Sequence, residues 1–222
     1  MSTAPSTRVG RPRRRDAVEN QERILEAAVH VIAAEGVNVP LATIAAAAET
    51  GIATFYRSFP DRAALLTELG HRAFALLNAL VDQIEEAGLT GLPAVERYLL
   101  GTLQLGDRLV LPLHGGPSLD DPQSNAGRRH LHVRLQRFVD EGREQGAIAT
   151  TVQAIDVVVC GALINQPVRS QPGWERRAVR QVRIFLAGLT TGRDLDAAMP
   201  PLWDLDVLLA RAARGGPAAQ TS

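Results

Sequence analysis

The stretch Pro40–Phe59 reads PLATIAAAAETGIATFYRSF. Pro40 suits the first position of a helix, and LATIAAAA continues a helical pattern to Ala48. The alanine-rich interior of that segment lets another backbone approach closely. Glu49-Thr50-Gly51 breaks the pattern, and a second short helix is predicted over Ile52–Ser58. Two short helices joined by a three-residue break have helix-turn-helix spacing, in which the second helix enters the major groove and brings its N-terminal residues to the base edges. The residue types suit that task. Gly51, Ile52, Ala53 and Thr54 are small or slim, and Thr54 offers both a hydroxyl and a methyl. Tyr56 and Arg57 follow a turn later, where a phenol and a guanidinium reach phosphate oxygens. Thr43 and Ser58 are counted with them as DNA-facing. Phe55 and Phe59 are expected in the core of a small domain rather than stacked on bases.

On the N-terminal side, Asp16 and Glu19 form a capping-box pattern that predicts a helix start. Ile24, Ala27, Ala28, Val31 and Ile32 then recur on one face, and Gly36 ends the helix. Residues 1–15 have nothing to bury and read as a flexible basic arm. Arg8, Arg11, Arg13, Arg14 and Arg15 lie there without an acid among them. Arms of this kind enter the minor groove or touch phosphates, so Arg13, Arg14 and Arg15 are candidate DNA contacts; a solvated tail is the plain alternative.

On the C-terminal side, Asp61 can cap a fourth helix carrying Leu65, Leu66, Leu69, Ala73, Leu76, Leu77, Leu80 and Ile84 to about Ala87, roughly 40 Å at 1.5 Å per residue. Arg62 in its first turn adds a cation beside N–H groups that are themselves an anion site. Pro93 opens a further helix, Leu111–Gly127 is a breaker-rich loop, and helices follow over Arg128–Gln145, Ala154–Gln166 and Trp174–Leu189. No strand, repeat or coiled-coil heptad is evident. The fold class is all-α, with an arm at 1–15, a helix-turn-helix domain at 16–60, a larger helical domain at 61–192 and a tail at 193–222.

Composition bounds the function. The 222 residues carry 24 basic and 24 acidic groups, so any attraction to nucleic acid rests on local clustering rather than net charge. Cys160 is the only cysteine, which excludes an intrachain disulfide and a cysteine-rich zinc site; it reads as a small buried hydrophobe. No apolar run approaches the ~20 residues that span a bilayer, and a cytoplasmic protein is expected. His130 and His132, two apart on a helix, cannot chelate one metal together, and Asp120-Asp121 lacks the ligand spacing of a calcium loop. No phosphate-binding loop, nucleophile elbow or His-Glu metal motif appears. No catalytic activity, cofactor or metal is expected.

Residues Glu22–Leu66, ERILEAAVHVIAAEGVNVPLATIAAAAETGIATFYRSFPDRAALL, resemble the TetR family of transcriptional regulators. The first-helix pattern, Ile44-Ala45, Thr54-Phe55-Tyr56, Phe59 and Ala64-Leu65 all fall in the family's register. The resemblance implies a homodimer on double-stranded operator DNA, with Ile52–Ser58 as recognition helix and a C-terminal ligand-sensing core. It also implies that the last two large helices pair with a partner's. The sequence departs from the family at Glu49, where a turn glycine is usual, at Ser58 in place of His and at Ala63 in place of Glu. If position 49 keeps a left-handed conformation, a non-glycine residue there costs on the order of 1 kcal/mol; the alternative is a different turn.

The leading expectation is therefore a dimeric repressor released by an unidentified small molecule that tilts the long fourth helix. A DNA-binding regulator without a ligand, constitutive or governed by a protein partner, is the alternative. The dimer interface is expected on Val158, Ala162, Trp174, Val182, Phe185 and Leu189, in two segments with more apolar surface than one small domain covers. The effector is expected in an apolar cavity between helices, oriented by Tyr98, Thr102, Gln104, His132 and Arg134. Neutral charge and few aromatics argue for a mid-sized, largely apolar molecule rather than a flat polyaromatic cation.

Overall fold

The protein, here a computed structural model, is described at residues 12–109, 120–165 and 172–190. Most of the expected arm, the first part of the expected loop Leu111–Gly127, the last residue of the expected helix Ala154–Gln166 and the expected tail at 193–222 lie outside the described residues. The described chain forms eight α-helices and one 3₁₀ turn, with no strand among the described residues. The helices divide into two compact bodies, Met1–Leu65 and Leu66–Ser222.

In the first body, α1 spans Pro12–Glu35, α2 Leu41–Ala47 and α3 Ile52–Ser58. Helix α1 starts four residues before the capping box at Asp16 that was expected to open it, so the expected arm loses its last turn to the helix. The reason is local. Proline at the first helical position needs no N–H partner and brings a helical φ, and Arg15 pairs with Glu19 one turn on at 2.8 Å. Ile24, Leu25, Ala28 and Ile32 are fully buried. Gly36, at φ 90°, ends α1 with its N–H on the Ile32 carbonyl. Pro40 is not the first residue of α2 as expected but its N-cap, because ψ of 136° keeps it extended. Ile44, Ala45, Phe55 and Phe59 close the small core against α1.

Helix α4 spans Arg62–Glu86, and the Asp61 carboxylate accepts the Ala64 N–H at 2.8 Å, the cap expected there. Helix α5 (Gly91–Leu105) continues into the 3₁₀ turn Gly106–Leu109. Helix α6 covers Pro122–Glu144, starting six residues before the expected Arg128. Asp120-Asp121 and Pro122, read as loop, are instead a helix start: Asp121 accepts the N–H groups of Gln123 and Ser124, each at 3.0 Å, and Pro122 takes the first helical position. Helix α7 (Ala154–Ile164) opens with a capping box between Gln153 and Asp156, and α8 spans Trp174–Leu189.

Helix α5 packs against α6, α7 and α8. Val95 and Leu99 of α5, Leu135 and Phe138 of α6, Val157 of α7 and Val182 of α8 share one core with Val81 and Ile84 of α4. Gly101 permits a close approach, since an added Cβ would lie 2.5 Å from Leu80 of α4. Each such large side chain, once buried, contributes about 1.5–3 kcal/mol.

Candidate DNA-binding interface

The turn between α2 and α3 is built from backbone hydrogen bonds. The Glu49 N–H donates to Ala46 O and the Thr50 N–H to Ala45 O, both at 3.0 Å. This crossed pair is a Schellman ending, which needs a left-handed residue at its centre. Glu49 is that residue, at φ 50°, and it is the one non-glycine with positive φ among the described residues. The missing turn glycine therefore leaves the turn geometry intact, and an L side chain bears it.

Gly51 caps α3 at φ −70° and ψ 145° without a side-chain hydrogen bond, and an added Cβ there would meet nothing within 4 Å. Its value is open space in front of the helix rather than backbone freedom. Phe55 is fully buried, with Tyr56 edge-on at 5.9 Å and Phe59 tilted at 6.0 Å. This anchoring turns Ile52 (44% exposed), Ala53, Tyr56 (49% exposed) and Arg57 outward on one stripe. Arg57 Nη2 donates to Thr54 Oγ1 at 2.6 Å, so the guanidinium is held along the helix before any ligand arrives. Thr43 and Ser58 are half-buried at the edges of this face.

Two flanking groups differ from expectation. Arg62, expected to face phosphates, donates Nη1 to Val37 O at 2.6 Å and Nη2 to Val39 O at 2.5 Å. Its fork matches two carbonyls of the α1–α2 loop that no helix satisfies, which gives it a structural duty inside the first body. Arg13 and Arg14 lie in the first turn of α1, and Arg15 is exposed with its Nε on Glu19. Sequence reasoning missed Asn20 of α1. Its Oδ1 accepts from Thr50 Oγ1 at 3.3 Å and from Arg23 Nη2 at 3.1 Å, while its Nδ2 donates to Ser58 Oγ at 3.3 Å. No periodicity signals such a residue, because its partners lie 30 and 38 positions away.

In the second body the five candidate ligand residues separate. Tyr98 and Thr102 are buried one turn apart on α5, and burial pushes the Tyr98 phenol above its ordinary pKa. Thr102 Oγ1 donates to Leu99 O at 2.7 Å and accepts from the buried Asn165 at 3.1 Å. Gln104 is exposed. Arg134 is engaged by carboxylates of α4, with Glu85 at 2.6 Å and Asp82 at 2.7 Å; its hydrogen bond to Glu85 holds that carboxyl below the usual range. His132 borders a groove of about 380 Å³ along α6 with Gln136, Arg137 and Glu141. The set expected to line one cavity is thus divided between core, ion pair and surface.

The expected dimer residues divide likewise. Val182 and Leu189 are buried in the core of their own chain, so they are not available to a partner. Val158, Ala162, Trp174 and Phe185 are half-buried. Among the described residues of the second body, the large apolar side chains left outward are Val159 (40% exposed) and Leu163 (66%) of α7, Ile184 (52%) of α8 and Val133 (67%) of α6. Burial pushes the Cys160 thiol up to about 12, consistent with a small hydrophobe rather than a reactive thiolate. Among the described residues no group of three or more His, Cys, Asp or Glu is placed to hold a metal, and no helix is long and apolar enough to cross a membrane.

Comparison with known proteins agrees with this geometry. The family model described as bacterial regulatory proteins, tetR family, matches residues 24–69. The HTH-type transcriptional repressor LfrR of Mycolicibacterium smegmatis is 32% identical over 176 residues, spanning 79% of this chain and 78% of that protein. The crystal structure of LfrR in complex with proflavine superposes with a TM-score of 0.59 at 24% identity, covering 81% of this chain and 98% of that one. A tetR-family regulatory protein from Rhodococcus RHA1 superposes with a TM-score of 0.60 at 16% identity, covering 77% and 97%.

Proposed function

The chain belongs to the tetR family of bacterial regulatory proteins, and from that premise we propose that it is a cytoplasmic, sequence-specific repressor that binds operator DNA as a homodimer and is released by a small molecule. One observation carries the DNA reading: α3 presents Ile52, Ala53, Tyr56 and Arg57 outward over a buried Phe55, behind an N-cap with open space before it. Slim residues admit the helix start to the base edges, while the phenol and guanidinium address the backbone. Arg13, Arg14 and Arg15 add three cations in the first turn of α1.

Dimerisation is supported by Val159, Leu163 and Ile184, three large apolar side chains left exposed on α7 and α8. A second copy covering them places Val158, Ala162, Trp174 and Phe185 at the edges of the contact. The effector reading is supported by the relative: LfrR was crystallised with proflavine. Proflavine is thus the first molecule to try, although it is the flat cation that composition argued against. The buried polar pair of Thr102 and Asn165, with Tyr98 a turn away, is where polar orientation of an otherwise apolar ligand is best supported. A ligand-free regulator draws support from the dispersal of Gln104, His132 and Arg134 away from that pair.

Selection from random duplex DNA, with sedimentation of the protein and release of the selected duplex by proflavine, tests the proposal. A two-fold symmetric sequence, a dimer and an affinity lowered by about five- to 150-fold are expected, the usual range of allosteric coupling. Selection without release removes proflavine as the effector. Failure to enrich any sequence refutes the DNA reading.

A further inference from the structure

Helix α3 is seven residues long, carries no side-chain N-cap and buries one residue, Phe55. Together with the buried C-cap residue Phe59, Phe55 anchors the middle and end of the helix and leaves the start without an apolar hold. The further constraint is Asn20. Its carboxamide touches the residue two before α3, Thr50, and the last residue of α3, Ser58. A single side chain on α1 thus holds both ends of the recognition helix. The amide orientation is set by chemistry, because a guanidinium can only donate, so the atom facing Arg23 is Oδ1 and the atom facing Ser58 is Nδ2. Thr50 is tied twice, its N–H to Ala45 of α2 and its hydroxyl to Asn20 of α1. Ser58 passes the constraint back into the helix, its Oγ lying 3.4 Å from the Thr54 carbonyl. Thr54, in turn, is the residue that holds Arg57.

We infer that Asn20 is a positioning residue for sequence discrimination: it touches no base itself but sets the angle at which α3 presents Ile52, Ala53 and Thr54 to the groove. The inference rests on the DNA-binding reading above. Positioning groups of this kind act by keeping contact residues within a few tenths of an ångström of a productive geometry. Loss of Asn20 therefore reduces discrimination between sequences and leaves the backbone attraction, which depends on charge and not on helix angle, as it was.

The test compares wild type with Asn20→Ala on two duplexes, the sequence selected by wild type and a scrambled one, at several salt concentrations. Affinity for the selected duplex is expected to fall by about ten- to a hundredfold, the scale of one mis-seated base pair. The scrambled duplex should be bound as before, with an unchanged salt slope. Equal losses on both duplexes, or no loss on either, overturn the inference. Thr50→Val removes one arm of the clamp from outside any helix and decides by the same criterion if Asn20→Ala does not fold. A wild type that prefers no sequence overturns the DNA reading and this inference with it, and that failure is visible before any variant is made.

Discussion

Glu49→Gly is expected to stabilise the protein, against the usual direction of a glycine substitution. Glu49 sits at φ 50° in the centre of the Schellman ending of α2. An L residue in that region costs about 1–2 kcal/mol, which glycine does not incur. Glycine loses about 0.4–1 kcal/mol of this advantage through the greater freedom of the unfolded chain. Removing an exposed carboxylate from the C-terminal end of a helix adds about 0.3 kcal/mol. The balance is a gain of about 0.3–1.9 kcal/mol, or roughly 1–8 °C in melting temperature for a chain of this size. Thermal and urea unfolding of the full chain, followed by helical circular dichroism, reads it directly. Glu49→Asn should match the glycine variant, since asparagine tolerates the left-handed region without loosening the unfolded state. Glu49→Ala keeps the strain and should recover only the charge contribution. An alanine variant as stable as the glycine variant, or a glycine variant less stable than wild type, would refute the argument from strain.

Arg62→Ala should destabilise the first body by about 1–3 kcal/mol in urea, because two loop carbonyls lose charged donors. Arg57→Ala should instead lower the slope of log K against log salt by about one unit with little change in stability; a reversed pattern would return Arg62 to the DNA surface. Leu163→Glu is expected to sediment as a folded monomer, whereas Val182→Glu should not fold, since it places a charge in the core. A folded dimer of the Leu163 variant would move the interface elsewhere. Asp121→Ala removes the N-cap of α6 and should cost about 1 kcal/mol at neutral pH. The Ser124 side chain and N–H, then the His71 ring at 2.9 Å, hold the Asp121 carboxyl well below the carboxylate range. Its contribution is therefore complete above the unfolded value of about 4 and is lost only as pH falls below that. The gap between wild type and variant should narrow in acid.

The first body was readable because its signals are local. Gly36, the break at Glu49–Gly51 and the apolar stripe of α1 each report on neighbours within a turn, and α3 falls at Ile52–Ser58 as expected. The sequence places the break at Glu49 for the same reason but leaves two turn geometries open there, and the structure takes the left-handed one. Local signals also compete: Asp16 with Glu19 imitates a helix start inside α1, and Asp121-Pro122 looks like a loop until its carboxylate is seen to cap α6. Side-chain duties set by distant partners left no trace in spacing. Arg134 reads as a polar group on an apolar helix, yet its partner Glu85 is 49 residues away. Val182 and Leu189 illustrate a different limit. Helical periodicity identifies the apolar face of α8, but the same face serves an intramolecular core as well as a partner, and here the core takes it.

The most direct measurement is a competition between the selected duplex and a scrambled duplex of equal length for the wild-type dimer at about 0.15 M salt. Both duplexes carry the same phosphates, so any preference reports base-edge and shape readout rather than phosphate attraction. A preference of about a thousandfold or more is expected, the lower end of the range for specific regulators. Equal affinity for the two duplexes would contradict it, leaving a basic surface that holds DNA without reading it.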